Sequence, residues 1–337
     1  MAYRITNVQM PPVMSLNNPA SLPSFRRNLL AWYRTHQRPL PWRKTKDPYR
    51  IWISEIMLQQ TRVAAVLEHY KRFLESFPTI RQLAKADEAD VLAAWSGLGY
   101  YRRARMLHRA AQLLTTNRAG RIPETAAELR TLPGIGRYTA NAIASIAFGE
   151  AVAVVDGNVE RVIARMLRKK ISGERFWATA QKLLDPDSAG DCNQAMMELG
   201  AMICLPGVPL CDRCPVRMHC ASRGSERRRS VPQKRLRKSS SVLLARRGNA
   251  IRLNRRGSNE RLMPGMWELP EARGAISREP LLSVRHSITT NDWQVSVFAG
   301  KKPEAGTEGQ WIPLAEISRL PLTGLTRKIF RKLNMLS

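Results

Sequence analysis

The sequence predicts a chain of two parts, a mainly α-helical body followed by a smaller α/β part. Three observations carry that reading. Apolar residues through the first two-thirds recur at helical spacing with short connections. Four of the five cysteines crowd into 204–220, where the helical pattern stops. Beyond a basic, serine-rich stretch the pattern changes to short apolar runs bounded by Gly, Asn and Pro, as strands are. At 337 residues the chain is long enough for two cores. The expected division is a loose arm over 1–23, a helical domain over 24–222, a linker over 223–240 and an α/β domain over 241–337.

Ser24 is placed to cap a first helix reaching about residue 34, with Phe25, Leu29, Leu30 and Trp32 as its apolar face. Two prolines in Arg38-Pro39-Leu40-Pro41-Trp42-Arg43 fix an extended connection. Helices follow over 51–60, 62–77, 87–95 and 102–116, with an aromatic turn, Gly97-Leu98-Gly99-Tyr100-Tyr101, before the last. A short helix over 123–132 leads into Leu132-Pro133-Gly134-Ile135-Gly136, too glycine-rich to be helical. Small and apolar residues make 137–148 a buried helix, and the apolar run 151–155 ends at Asp156-Gly157-Asn158. Helices over 158–167, 176–184 and 192–204 complete the body. In the α/β part, 241–245, 250–253, 267–269 and 294–298 read as strands, and 317–319 and 326–333 as closing helices. There is no internal repeat.

The formal net charge of +28 calls for an anionic partner. Nucleic acid fits better than a membrane surface, because no lysine-rich amphipathic anchor stands out. No apolar run approaches the roughly 20 residues of a membrane span. Residues 1–20 lack the apolar core of a signal peptide, so an intracellular, cytoplasmic chain is expected.

Four motifs carry chemistry. The cysteines fall as Cys204-x6-Cys211-x2-Cys214-x5-Cys220, which can wrap one inorganic centre. Zinc sites generally use two tight pairs with a longer spacer; one tight pair with short loops favours a 4Fe–4S cluster over zinc. Cys192 fits a packed helix position. Gly134 and Gly136 make a helix–hairpin–helix whose backbone N–H groups would hold a phosphate without reading sequence. A plain helix–helix corner fits the turn equally well, and the neighbouring Arg137 together with so cationic a chain tips the balance toward binding. Asp156 follows an apolar run and opens a helix, where capping alone would account for it or for Asn158. Glu55 stands in very apolar company, Ile51-Trp52-Ile53-Ser54-Glu55-Ile56-Met57-Leu58. It is either an exposed helix residue or a buried acid able to hold a proton at neutral pH.

The stretches SEIMLQQTRV, GLGYY, LPGIGRYTA, VDGNVERV and NQAMMELGA and the cysteine spacing occur in an order that resembles the adenine DNA glycosylases of MutY type, in the helix–hairpin–helix superfamily that includes endonuclease III. The resemblance covers roughly 25–220. It implies a helix–hairpin–helix DNA glycosylase fold with an iron–sulfur cluster loop, followed by a Nudix-like α/β domain. It implies a monomer that removes adenine opposite 8-oxoguanine or guanine from double-stranded DNA, with a 4Fe–4S cluster as cofactor. By this resemblance Glu55 protonates the adenine ring, Asp156 stabilises the positive sugar, and Tyr138 and Asn158 hold that geometry. Arg43, assisted by Arg38, would contact the adenine pocket, and Gln60 and Tyr100 would wedge into the duplex.

Two departures from related patterns matter. Bifunctional relatives carry a nucleophilic lysine where this chain has Tyr138, so no Schiff base can form there and an abasic site is the expected product. The loop that by this resemblance reads the opposing base carries Phe-Ser-His in many members and here reads Ile288-Thr289-Thr290: Thr289 keeps a hydroxyl, but the aromatic and the imidazole are absent, which weakens the expected discrimination of 8-oxoguanine from guanine; an ordinary hairpin loop is the plain alternative. Glu260, Glu268, Glu271 and Glu279 are scattered, which argues against a magnesium-holding acidic box. Two other functions compete: a thymine or uracil mismatch glycosylase, compatible with Tyr138, and a DNA-binding scaffold without catalysis. Glu55 and Asp156 together argue against the scaffold.

Overall fold

A computed structural model describes residues 19–223, 236–257, 259–260, 262–272, 279–288, 291–300 and 309–336. Most of the expected 1–23 arm and 223–240 linker lies outside these residues. The helices in chain order are α1 (Leu22–His36), α2 (Pro48–Leu58), α3 (Val63–Ser76), α4 (Ile80–Lys85), α5 (Glu88–Trp95) and α6 (Arg102–Arg118). They continue with α7 (Ala126–Leu129), α8 (Arg137–Phe148), α9 (Gly157–Leu167), α10 (Glu174–Leu183), α11 (Ala189–Met202) and α12 (Gly324–Lys332). The strands are β1 (Leu236–Arg247), β2 (Ala250–Arg255), β3 (Trp267–Glu268), β4 (Leu282–Ile288), β5 (Asn291–Gly300) and β6 (Gln310–Pro313). Among the described residues no helix is long and apolar enough to cross a membrane.

The chain divides into two compact units, Met1–Glu55 with Ile122–Val231 and Ile56–Arg121 with Pro232–Ser337. The first is helical around a core that includes Phe25, Leu29, Val159, Ile163, Cys192, Ala195 and Leu199. Each large side chain withdrawn from water there contributes about 1.5–3 kcal/mol. Cys192 is 1% exposed, as a core position requires. Ser24 is not the cap of α1. The helix starts at Leu22-Pro23, a proline suiting the first turn, and the Ser24 hydroxyl bonds back to the Ser21 carbonyl at 2.9 Å. Gly200 brings α11 against the start of α9: a Cβ on it would lie 2.6 Å from Cβ of Asn158.

Among the described residues the apolar run 151–155 has no strand partner, and side chains take up much of its backbone instead. Asn141 Nδ2 donates to the Ala153 carbonyl at 2.7 Å. Gln181 accepts from Ala153 N at 2.9 Å and donates to the Ala151 carbonyl at 2.8 Å. Asn193 accepts from Val154 N and donates to the Val152 carbonyl, both at 2.9 Å. Three side-chain amides from α8, α10 and α11 thus take the place of a neighbouring strand and fix the approach to Asp156.

The second unit combines α3–α6 with a mixed sheet of order β3-β2-β1-β5-β4, with β6 also on β2. β1 runs parallel to β5 over Leu236↔Asn291 to Ala245↔Gly300, so the strand starts well before the expected 241. Val242, Ile251, Leu253, Val284, Val295, Val297 and Phe330 form its core. Sequence reading missed α4, which Thr79 caps through Gln82 N, and the strands β4 and β6. β4 reads LSVRHSI, with Leu282 and Val284 on the core face and Ser283, Arg285 and Ser287 alternating with them, a period-two pattern that sequence reading passed over.

Candidate active site

Glu55 lies on α2 with 5% of its surface exposed. Burial raises its carboxyl, and the nearby charge of Asp156 adds to this; a hydrogen bond with Tyr138 and the Arg43 guanidinium pull the other way, leaving it at about 7. One carboxyl oxygen, Oε2, is buried without a hydrogen-bond partner among the described residues. A buried acid that is half protonated at neutral pH, with one oxygen uncommitted, is a proton donor to whatever enters. The buried alternative of the sequence reading is the one realised. Tyr138, from the first turn of α8, also touches Met197 Sδ at 3.4 Å, and burial first, then Glu55 and Asp156, hold its phenol protonated.

Asp156 caps α9, the plainer of the roles the sequence allowed. Its Oδ1 caps α9 by accepting from Asn158 N at 3.0 Å and Val159 N at 2.8 Å. Its Oδ2 accepts from Asn158 Nδ2 at 2.9 Å. A carboxylate so tied cannot rotate. Asn158 Oδ1 is held in turn by Arg161 Nη2 at 2.7 Å, and the same guanidinium reaches the backbone carbonyls of Gly200 at 2.7 Å and Cys204 at 2.8 Å. Arg161, which sequence reading did not single out, therefore links Asp156 to the first cysteine of the cluster.

Arg38 and Arg43 converge on Glu198, whose side chain is fully buried. Arg43 gives it two hydrogen bonds, at 2.8 and 2.7 Å, and stacks over Tyr33 at 5.5 Å. Arg38 gives it three, from its backbone N, Nε and Nη2. Burial would raise the Glu198 carboxyl; these bonds outweigh it and hold it down at about 2. Glu198 was visible only as a letter in NQAMMELGA. An acid in an apolar helix pattern was the available signal.

In the hairpin, Gly134 takes φ +77°, which glycine adopts at no steric cost. Gly134 and Gly136 are exposed, and a Cβ on Gly136 would meet nothing. Among the described residues no backbone carbonyl accepts from the N–H of either glycine. Arg137 is not a free cation: it binds both oxygens of Glu174 at 2.6 and 2.7 Å and lies 4.0 Å over the Trp177 ring. The turn's own N–H groups, not Arg137, are what it offers a phosphate.

In the second unit, Gln60 and Tyr100 share an unusual backbone, with φ of 56° and 50°. Neither is a glycine, so both conformations are strained and must be held by their surroundings. Arg103 holds them. Its guanidinium donates to the carbonyls of Ile56 and Gln59 at 2.6 Å and of Gly99 at 3.2 Å, and it stacks on Trp95 and Tyr100. Tyr100 stays 50% exposed.

Cys204, Cys211, Cys214 and Cys220 line one cavity. Burial first, and then the thiols of Cys220, Cys204 and Cys211, push Cys214 up to about 12. Among the described residues no three metal-ligating side chains converge on a point that one ion could occupy. Four thiols lining one cavity are a donor set suited to an inorganic centre. Arg165 lies against them, with Nη1 3.3 Å from Cys204 Sγ and 2.7 Å from the Leu205 carbonyl.

Of the proposed opposing-base residues, Ile288 ends β4 opposite Asn291, while Thr289 and Thr290 lie outside the described residues. Glu260 and Glu268 meet on Arg256, to which both are close in sequence.

Residues 53–186 match the HhH-GPD superfamily of base excision DNA repair proteins. The adenine DNA glycosylase of Rattus norvegicus is 46% identical over 216 residues, 60% of this chain and 42% of the relative. That of Homo sapiens is 45% identical over 219 residues, 60% of this chain and 40% of the relative. That of Buchnera aphidicola subsp. Acyrthosiphon pisum is 36% identical over 222 residues, 64% and 63% of the two chains. The chain thus spans less than half the length of the two mammalian relatives. Among solved structures, a thermostable thymine-DNA glycosylase superposes with a TM-score of 0.58 at 29% identity, covering 61% of this chain and 98% of its own. A trapped endonuclease III–DNA covalent intermediate shares the fold, with a TM-score of 0.54 at 23% identity over 62% and 98% of the chains.

Proposed function

We propose that the chain, which matches the HhH-GPD superfamily of base excision DNA repair proteins over residues 53–186, is an adenine DNA glycosylase acting on adenine opposite 8-oxoguanine or guanine in duplex DNA. The observation that carries this reading is Glu55: buried, near pH 7, with Oε2 uncommitted. Adenine is a poor leaving group until its ring is protonated. Glu55 gives its proton to a ring nitrogen of a base taken out of the stack. The C–N bond then breaks with its electron pair going to the base, leaving a positive, oxocarbenium-like sugar. Asp156, held in place by the first turn of α9 and by Asn158, faces that charge, and water adds to the sugar carbon.

Tyr138 has no amine, so no covalent sugar adduct forms at its position and the product is an abasic site. Gly134 and Gly136 hold a backbone phosphate, and Gln60 and Tyr100 enter the duplex, their strained backbones held by Arg103. Cys204, Cys211, Cys214 and Cys220 would hold a 4Fe–4S cluster, which supplies a covalent cross-link of the loop and a site for one-electron exchange. Arg161 and Arg165 tie that loop to α9, so its order is passed to the helix that Asp156 opens.

Single-turnover assays on duplexes carrying A opposite 8-oxoguanine, A opposite guanine and T opposite guanine test the reading. Free adenine from the first two is expected, with no adduct after borohydride. Release of thymine instead would transfer the chain to the activity named for the thymine-DNA glycosylase neighbour. Tight duplex binding with no base release would make it a scaffold.

A further inference from the structure

A second site lies within the Ile56–Arg121 and Pro232–Ser337 unit. A cavity of about 450 Å³ is lined by Arg72 and Ser76 of α3, Asp90 of α5, Ser96, Ser318-Arg319 and Arg327 of α12. Its volume is that of a small-molecule site. Three guanidinium groups from three separate segments line it, with one carboxylate among them. No ion pair is formed by Arg72, Arg319 or Arg327 among the described residues.

Arg327 makes the case. It is 8% exposed, yet no carboxylate binds it. Its Nε donates to Ser96 Oγ at 2.8 Å, and that hydroxyl donates on to the Leu322 carbonyl at 2.8 Å. Burial disfavours its charge; Tyr101 offsets part of this, and the neighbouring Arg331 and Arg72 add repulsion. A buried guanidinium among like charges costs several kcal/mol unless an anion joins it. Ser96 fixes the direction of the fork, because its own hydrogen is committed to Leu322. The planar guanidinium, with paired N–H groups, matches phosphate oxygens in a way that lysine does not.

We infer that this cavity binds a small, multiply charged phosphate compound, of the pyrophosphate or phosphate-ester class, between Arg72, Arg319 and Arg327. The ligand sits away from Glu55 and Asp156 in sequence and needs neither. Serine hydroxyls at 76 and 318 supply further donors, and Asp90 sets an upper limit on how much negative charge is accepted on its side.

The test uses the full chain and inorganic pyrophosphate, titrated by calorimetry at constant ionic strength set with chloride. Arg72 and Arg319 are exposed, so Arg72→Gln/Arg319→Gln leaves the fold intact and base release unchanged. Each lost charge-assisted contact is expected to weaken binding by roughly tenfold or more. Equal pyrophosphate affinity in the parent and the double variant would overturn the site, because the +28 surface alone would then explain binding. Duplex affinity measured on the same pair separates the two sources of phosphate. It is expected to be unchanged; a parallel loss would show the cavity to be a DNA-backbone contact and overturn the small-ligand assignment.

Discussion

Glu55 and Glu198 are equally withdrawn from water, 5% and 0% exposed, yet one carboxyl is pushed up to about 7 and the other held down at about 2. The difference lies in the donors. Glu198 has five N–H bonds from Arg38 and Arg43. Glu55 has the phenol of Tyr138, a carboxylate near it, and one oxygen with no partner. Burial raises both; partners decide the outcome. An acid meant to give up a proton is left under-supplied, whereas an acid meant to anchor two arginines is saturated. The comparison also separates two kinds of pH dependence. Glu198 contributes stability above the ordinary 4.5, lost as pH falls toward 2. Glu55 favours the folded state when protonated, an advantage complete below the ordinary 4.5 and lost as pH rises through about 7.

The largest expected effect breaks the Glu55 side of the pair. Glu55→Gln keeps the shape and removes the proton donor, so single-turnover adenine release is expected to fall by about 10²–10⁴-fold. In the parent the rate is expected to decline above pH 7, as the carboxyl ionises. Stability should move the opposite way. A buried carboxyl raised this far costs about 3 kcal/mol once ionised, so at pH 8 the Gln variant is expected to unfold at higher urea than the parent. A variant equally active, or less stable at pH 8, would mean that Glu55 is not the buried donor.

Next comes the anchor. Glu198→Ala leaves Arg43, whose side chain is 9% exposed, buried without its counter-charge. The expected loss is about 3–5 kcal/mol in urea denaturation at pH 7, shrinking at low pH where Glu198 itself is protonated. A loss below about 1 kcal/mol would reduce the contact to the worth of a surface ion pair.

Much of this contrast was legible in the sequence, and the rest fails for identifiable reasons. α8 was readable to its ends because Gly136 and Gly149 bracket a run of small apolar residues. Glu55 was recognisable as an acid among Ile, Trp and Met, but its burial depends on what packs over α2. Glu198 lies about 160 residues from the arginines it binds, and no local pattern announces a pairing at that distance. Arg137 misled for the same reason: Glu174 and Trp177, which occupy it, arrive from another helix. Asn141, Gln181 and Asn193 looked like ordinary polar residues. Their role exists only because 151–155 is extended with no strand beside it among the described residues. Local chemistry sets the elements, and long-range pairing sets what each charge is for.

The smallest expected effect sharpens the comparison rather than breaking it. Tyr138 is the one hydrogen-bonding side chain that lowers Glu55, so it is the point at which Glu55 resembles Glu198. Tyr138→Phe keeps the ring and removes that bond. A neutral hydrogen bond contributes about 0.5–1.5 kcal/mol, so the Glu55 carboxyl should rise by roughly half to one pH unit. The alkaline limb of the single-turnover rate is then expected to move to higher pH by that amount, with the rate near pH 6 changed by less than about threefold. A limb that moves to lower pH, or does not move, would place the titration outside Glu55. A collapse of the rate at every pH would instead give the phenol a part in the chemistry itself, which the bond to Glu55 alone does not require.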